Sequence, residues 1–290
     1  MSKRIATPLK TKTLLNQYGL KLKKSLGQNF LIDESVLDQI MDSLNLSKSD
    51  GVIEIGPGLG ALTEKLAEKA GKVVSVEIDG RLVPVLRELF QDKSNVQILH
   101  QDFLKVDLVE LANEFLPGQK LTVAANLPYY VTTPILLKLL HGELPLKSIV
   151  VMVQKEVASR IAASPGEKDY GSLSIAVQYY AQAESILYVP RSSFLPNPNV
   201  DSAVLKLDIL SEPAVRIKDE TFFFKVVRSA FRQRRKTLFN NVTHNLFPQV
   251  DKDEIRSMML DSGIDPKRRA ETLSLEEFAS LCESLTKFMP

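Results

Sequence analysis

The 290-residue chain has a single cysteine, Cys282, which rules out an intramolecular disulfide. No stretch approaches the roughly 20 apolar residues needed to span a bilayer. The start, MSKRIATPLKTK, lacks the apolar segment of a secretory signal. Together these absences predict a soluble, cytoplasmic protein with no membrane partner. There are only three histidines, and His100, His141 and His244 have neither the spacing nor the neighbours of a metal site, so no metal is expected. No internal repeat or low-complexity tract is visible. The length exceeds that of one small domain, so a large unit with a smaller appendage is the natural expectation.

Net charge is also scarce, at +2, until it is divided along the chain. Residues 1–30 carry seven Lys or Arg and no acid. Residues 31–210 carry 16 bases against 23 acids, and residues 211–290 carry 14 against 12. A basic arm that includes Lys23 and Lys24, and a C-terminal run of Lys225, Arg228, Arg232, Arg234, Arg235 and Lys236, thus flank an acidic middle. That distribution suits a polyanion gripped from its edges. The run reads as a basic helix, with Val and Phe on its remaining face, whose cations would meet the phosphates of such a polyanion. Phe222, Phe223 and Phe224, just before it, read as core.

From Gly51 to Leu210, short runs rich in Val and Ile alternate with amphipathic helical patterns. Strands are expected at Gly51–Ile55, Lys72–Glu77, Val96–Gln101, Leu121–Ala125 and Ser148–Gln154. Helices are expected between them, at Leu62–Glu68, Leu82–Phe90 and Pro134–His141. This is a doubly wound, Rossmann-like α/β layout. Ile186–Val189 and Ala203–Ile209 follow one another without a helix and suit an antiparallel edge. The sequence Leu210-Ser211-Glu212-Pro213 interrupts the pattern, and everything beyond it reads as helices. The expected domains are therefore 1–210, a catalytic α/β unit with its N-terminal arm, and 211–290, a small all-helical unit.

Glu54-Ile55-Gly56-Pro57-Gly58-Leu59-Gly60 runs from a strand into a helix, with glycines where the backbone must turn tightly and approach a ligand. The third glycine comes one position earlier than in the dinucleotide fingerprint, and Pro57 stiffens the loop, so a nucleoside without phosphates is the easier guest. Glu77 ends the next strand, where its carboxylate can accept from the two hydroxyls of a ribose. Asp102, after the third strand, can accept from an exocyclic adenine amine or cap a helix.

The fourth strand ends in Asn126-Leu127-Pro128-Tyr129. The amine of adenine is a poor nucleophile because its lone pair is delocalised into the ring. Two acceptors holding its hydrogens would favour a pyramidal nitrogen with that lone pair free to attack. The Asn126 side-chain carbonyl and the Leu127 main-chain carbonyl supply such a pair, with Pro128 restricting Leu127 to an extended conformation. Tyr129 offers a flat face for the base. Phe194, presented by Pro196 and Pro198 in Phe194-Leu195-Pro196-Asn197-Pro198-Asn199-Val200-Asp201-Ser202, suits either a second ring over that base or a core plug.

These segments, with Lys23-Lys24-Ser25-Leu26-Gly27-Gln28-Asn29-Phe30-Leu31 and Gln154-Lys155-Glu156-Val157, closely resemble the bacterial small-subunit ribosomal RNA adenine dimethyltransferase family over nearly the whole chain. The resemblance implies a class I methyltransferase domain using S-adenosyl-L-methionine, with cofactor contacts at Asn29, Leu31, Gly56, Glu77, Asp102 and Asn126. It also implies two methyl transfers to each of two adjacent adenines near the 3′ end of 16S rRNA, within an immature small subunit. A monomer is the simplest assumption. Three rivals are a large-subunit adenine methyltransferase of the macrolide-resistance type, an assembly factor acting by binding, and an NAD-dependent dehydrogenase. The last is weakened by the glycine spacing and by the lack of a hydride-transfer pair.

Overall fold

The computed structural model describes residues 4–23, 26–142 and 144–288. They divide into two compact units: residues up to Ala158 with Glu184–Ile209, and Ser159–Ala183 with the chain from Leu210 onward. The second unit therefore takes the chain from Leu210 onward, within a residue of the expected boundary, and also takes in Ser159–Ala183, a segment that the alternating sequence pattern assigns to the α/β part. No helix among the described residues is long and apolar enough to cross a membrane.

The first unit opens with helix α1 (Pro8–Gln17), started by Thr7, whose side chain accepts from the Lys10 N–H, and by Pro8 in the first turn. Strand β1 (Phe30–Leu31) and helix α2 (Glu34–Leu44), capped by Asp33, follow. The sheet strands are β2 (Asp50–Ile55), β3 (Lys72–Glu77), β4 (Val96–His100), β5 (Lys120–Asn126) and β6 (Leu146–Gln154). Between them lie α3 (Ala61–Lys69), α4 (Leu82–Leu89), α5 (Leu108–Phe115) and α6 (Thr132–Leu140). After α7 (Lys155–Ala162) and α8 (Ser172–Gln178) come β7 (Ala181–Val189), the short β8 (Phe194–Leu195) and β9 (Ser202–Ile209).

The seven-stranded sheet has the order β4-β3-β2-β5-β6-β9-β7. Strands β2 to β6 run parallel to their neighbours, and β9 pairs antiparallel with β6 from Ser148↔Asp208 to Gln154↔Ser202. The central strands are covered on both faces, which is why β2 is buried throughout and β3 and β5 read as apolar runs without alternation. One core gathers Leu37, Leu44 and Leu66 against Val52, Ala124 and Val150. Another joins Leu14 and Phe30 to Leu59, Leu86 and Phe90. Strand order reverses about β2, with β3 on one side and β5 on the other, so a crevice opens at the carboxyl ends of these strands.

The second unit is helical from Glu220 onward: α9 (Glu220–Ala230), α10 (Leu238–Asn245), α11 (Lys252–Asp261) and α12 (Leu275–Leu285). Each starts on a polar cap, Asp219, Thr237, Asp251 or Ser274, and Ser274 forms a reciprocal capping box with Glu277. Its core holds Phe223, Phe278, Tyr170 and Tyr179, with Phe222 and Phe224 buried as expected. Phe278 stacks on Phe231 at 5.8 Å between centroids and is fully buried. Replacing Phe278 with Ala is expected to lower stability by about 3–5 kcal/mol in urea unfolding. Ser274→Ala, which removes only the cap, is expected to cost about 1 kcal/mol.

Candidate active site

The crevice at the switch point is a cleft lined by the ends of β2, β3 and β5 and by the segment Leu26–Leu31. Its floor is the loop between β2 and α3. Gly56 and Gly60 have φ of 67° and 87°, a left-handed region that L side chains rarely adopt. A Cβ at Gly60 would lie 2.5 Å from the Phe90 ring, so the loop can pack on α4 only as glycine. A Cβ at Gly56 would meet nothing within 4 Å, which means this glycine leaves open space in front of its backbone.

Glu77 stands at the end of β3, nearly fully buried on the wall beside that loop. Its Oε2 accepts the Gly58 N–H at 3.2 Å and its Oε1 accepts the Asp79 N–H at 2.7 Å. Burial raises its pKa, while these backbone donors oppose the rise. Each oxygen retains acceptor capacity for a further donor. Glu54, one strand over, also lines the cleft and is 1% exposed. The hydroxyls of Thr63 and Ser75 both donate to its Oε2 at 2.6 Å, and its buried Oε1 has no partner among the described residues. Desolvation pushes its pKa up to about 7, with the two hydroxyls acting against the rise.

The opposite wall joins segments far apart in sequence. Phe30 and Leu31 of β1 pair antiparallel with Leu195 and Phe194 of β8. The Ile32 N–H donates to Ser193 O, and the Ser193 hydroxyl donates to Asp33 Oδ2. Asn126, ending β5, donates from Nδ2 to Asn29 O at 3.1 Å. That bond sets the orientation of the amide and leaves Oδ1 as its acceptor end. The Leu127 N–H donates to Met152 O, anchoring the tetrapeptide to β6, and Pro128 is extended at φ −60°, ψ 132°. The Tyr129 hydroxyl shares a 2.8 Å hydrogen bond with Ser202 Oγ, and burial raises its pKa. The neighbouring Tyr130, on the same rim, is 59% exposed.

Of the residues singled out in the sequence, Asn29, Leu31, Gly56, Glu77, Asn126, Leu127, Pro128, Tyr129 and Phe194 all line this one cleft. Phe194 is 1% exposed and also belongs to the core with Leu31, Leu37 and Val204. Asp102 does not line the cleft; its Oδ1 caps the short turn Phe103–Lys105 by accepting the Leu104 N–H at 3.0 Å. Lys23 lies 3.7 Å from Asp79, and Lys24 falls outside the described residues. Lys225, Arg228, Arg232, Arg234, Arg235 and Lys236 are exposed on the second unit. They do not form one basic helix. α9 stops at Ala230, where Phe231 turns inward onto Phe278 and Tyr170, and Arg232–Lys236 form a turn before α10. Glu54 carried a signal that the motif obscured: an acid inside the apolar run Val52–Ile55.

A Rossmann-like sheet with this cleft at its switch point, and a helical C-terminal unit, defines a methyltransferase domain of class I. The family model for ribosomal RNA adenine dimethylase matches residues 19–287. The ribosomal RNA small subunit methyltransferase A of Bacillus licheniformis is 54% identical over 291 residues, covering 100% of both chains. The chain belongs to the ribosomal RNA adenine dimethylase family. Among solved structures, a dimethyladenosine transferase from Plasmodium falciparum superposes with a TM-score of 0.76 at 27% identity, covering 89% of this chain and 98% of that one. The 23S rRNA methyltransferase ErmE gives 0.69 at 24% identity, covering 89% and 99%, a likeness of fold.

Glu54 makes stability depend on pH. Its folded pKa of about 7 lies above the ordinary 4.5, so between these values the native state holds a proton that the unfolded state has lost. Its contribution is therefore most favourable below pH 4.5 and declines as pH rises through 7. Relative to Glu54→Gln, which cannot titrate, the wild type is expected to lose on the order of 2–3 kcal/mol between pH 5 and pH 8 in urea unfolding. Parallel pH profiles for the two proteins would show that Glu54 stays ionised.

Proposed function

We propose that this chain transfers methyl groups from S-adenosyl-L-methionine to the N6 amines of two adjacent adenines near the 3′ end of small-subunit ribosomal RNA, two to each, during maturation of that subunit. The observation that carries the reading is the Asn126 amide. With Nδ2 committed to Asn29 O, its Oδ1 is the acceptor available to an amine in the cleft. The Leu127 carbonyl, in its proline-restricted peptide, is the second acceptor.

The cleft fits an adenosyl cofactor on its own residues. Glu77 has acceptor capacity for ribose hydroxyls, Gly56 leaves room above its backbone, and Asn29, Leu31 and Asn126 line the same cleft. Asp102 is the proposed partner of the cofactor's adenine amine through the oxygen that its cap leaves over. When bound, the sulfonium supplies an electrophilic methyl group and a good leaving group. The protein's part is to hold the N6 hydrogens on two acceptors, align the nitrogen and seat the base against Tyr129, with Phe194 as the buried ring behind it. No strong general base is required, since the protonated product amine is acidic enough to lose its proton to water.

RNA phosphates would meet Lys23 and Lys24 on the arm, and Lys225, Arg228, Arg232, Arg234, Arg235 and Lys236 on the second unit, with binding that weakens steeply as salt rises. A small-subunit substrate is favoured over the large-subunit reading because the relatives that match end to end at 54–55% identity are named for the small subunit. A monomer, acting in the cytoplasm, suits an enzyme working on a large particle.

Transfer of labelled methyl groups tests this, with undermethylated small subunits, mature small subunits and large subunits assayed side by side. Label recovered as N6,N6-dimethyladenosine from the undermethylated small subunit alone is expected. Label confined to large-subunit RNA would overturn the reading. Asn126→Ala is expected to slow transfer about 10²-fold through lost alignment. Full subunit maturation by that variant without methylation would instead favour a role through binding.

A further inference from the structure

The turn between β3 and α4 holds a second carboxylate that neither the cofactor nor the base needs to touch. Asp79 is 2% exposed, and Arg81, Gln28 and Lys23 converge on it, the Arg81 main-chain N–H donating to Oδ1 at 3.2 Å. Its Oδ1 accepts the Arg81 Nε–H at 2.9 Å, its Oδ2 accepts Arg81 Nη2–H at 2.6 Å and Gln28 Nε2–H at 2.9 Å, and Lys23 Nζ lies 3.7 Å from Oδ1. The Arg81 guanidinium holds its carboxyl well below the usual carboxylate range. Both partners also grip the arm's backbone. Arg81 Nη1 donates to Lys21 O at 3.0 Å, and Gln28 Oε1 accepts the Lys23 N–H at 3.0 Å.

The consequence reaches both poles of the cleft. On one side the Asp79 N–H donates to Glu77 Oε1, helping to orient the proposed ribose acceptor. On the other, Gln28 is followed by Asn29, whose carbonyl fixes the Asn126 amide. Gly27, Gln28 and Asn29 form part of the cleft wall, and Gln28 is the member of that segment whose side chain reaches Asp79. We infer that Asp79 is a positioning residue for the methyl-transfer reaction: through Gln28 and Arg81 it fastens the basic arm as a wall of the cofactor cleft. The inference rests on the proposed function in taking this cleft as the cofactor site.

The geometry supplies a specific test. In Asp79→Asn an amide donor replaces the oxygen facing Gln28 Nε2 or Arg81, so donors meet donors. A second change, Gln28→Glu, returns an acceptor to that pair while keeping one for the Lys23 N–H. Binding of S-adenosylhomocysteine by calorimetry is expected to weaken about 10-fold in Asp79→Asn, and trypsin to cut after Lys21 and Lys23 faster than in the wild type. The double variant Asp79→Asn/Gln28→Glu is expected to recover affinity to within about threefold of wild type, which a general loss of folding would not allow. Gln28→Ala, which leaves Asp79 paired with Arg81, is expected to weaken binding in the same direction. Affinity in Asp79→Asn within about twofold of wild type would overturn the inference, as would a double variant no tighter than the single one. Glu77→Ala serves as the control for the cleft itself. If the wild type binds and Glu77→Ala does not, failure at Asp79 refutes this inference alone; if the wild type fails to bind, it is the reading of the cleft that falls.

Discussion

The hydrogen bond from Asn126 Nδ2 to Asn29 O is the contact on which the site depends. It joins the end of β5, deep in the sheet, to a carbonyl 97 residues away on the N-terminal arm. An amide has one acceptor end and one donor end, so spending the donor on the protein dedicates the acceptor to the cleft. The remaining architecture serves this arrangement. The parallel sheet brings β2, β3 and β5 to a common edge, and the β1–β8 pairing brings Asn29 and Phe194 to the same wall. The proposed chemistry requires alignment rather than a strong base.

Glu54, Glu77 and Asp79 are differentiated by their surroundings. Glu77 meets two backbone donors, Asp79 meets a guanidinium and an amide, and Glu54 meets two hydroxyls on one oxygen and nothing on the other among the described residues. Burial acts on all three, yet Asp79 is held low by a charged partner while Glu54 is raised toward neutrality for want of one. Three carboxyls, on β2, at the end of β3 and in the turn after it, thus divide into the proposed ribose acceptor, a structural clasp and a titrating group.

Much of the fold was legible in the sequence because its signals are local. Val- and Ile-rich runs marked β2 to β6 to within a residue or two at every end, and the glycine loop and Asn126–Tyr129 lay at strand ends as the pattern required. What escaped depends on tertiary partners. Arg232–Lys236 reads as helix by composition, but Phe231 is drawn to Phe278 and breaks α9. Ser159–Ala183 looks like one more covering segment, yet Tyr170, Ile175 and Tyr179 pack with the C-terminal aromatic core. Asn29 and Leu31 came only from the family resemblance, since no periodicity announces a two-residue strand.

The most direct test of the account is the structure of the wild-type protein with S-adenosylhomocysteine and an adenine-containing RNA fragment. The account predicts the target N6 within about 3 Å of both Asn126 Oδ1 and the Leu127 carbonyl, with Asn126 Nδ2 still on Asn29 O. An amine directed elsewhere in the cleft, or an Asn126 amide released from Asn29 to donate to the base, would contradict it.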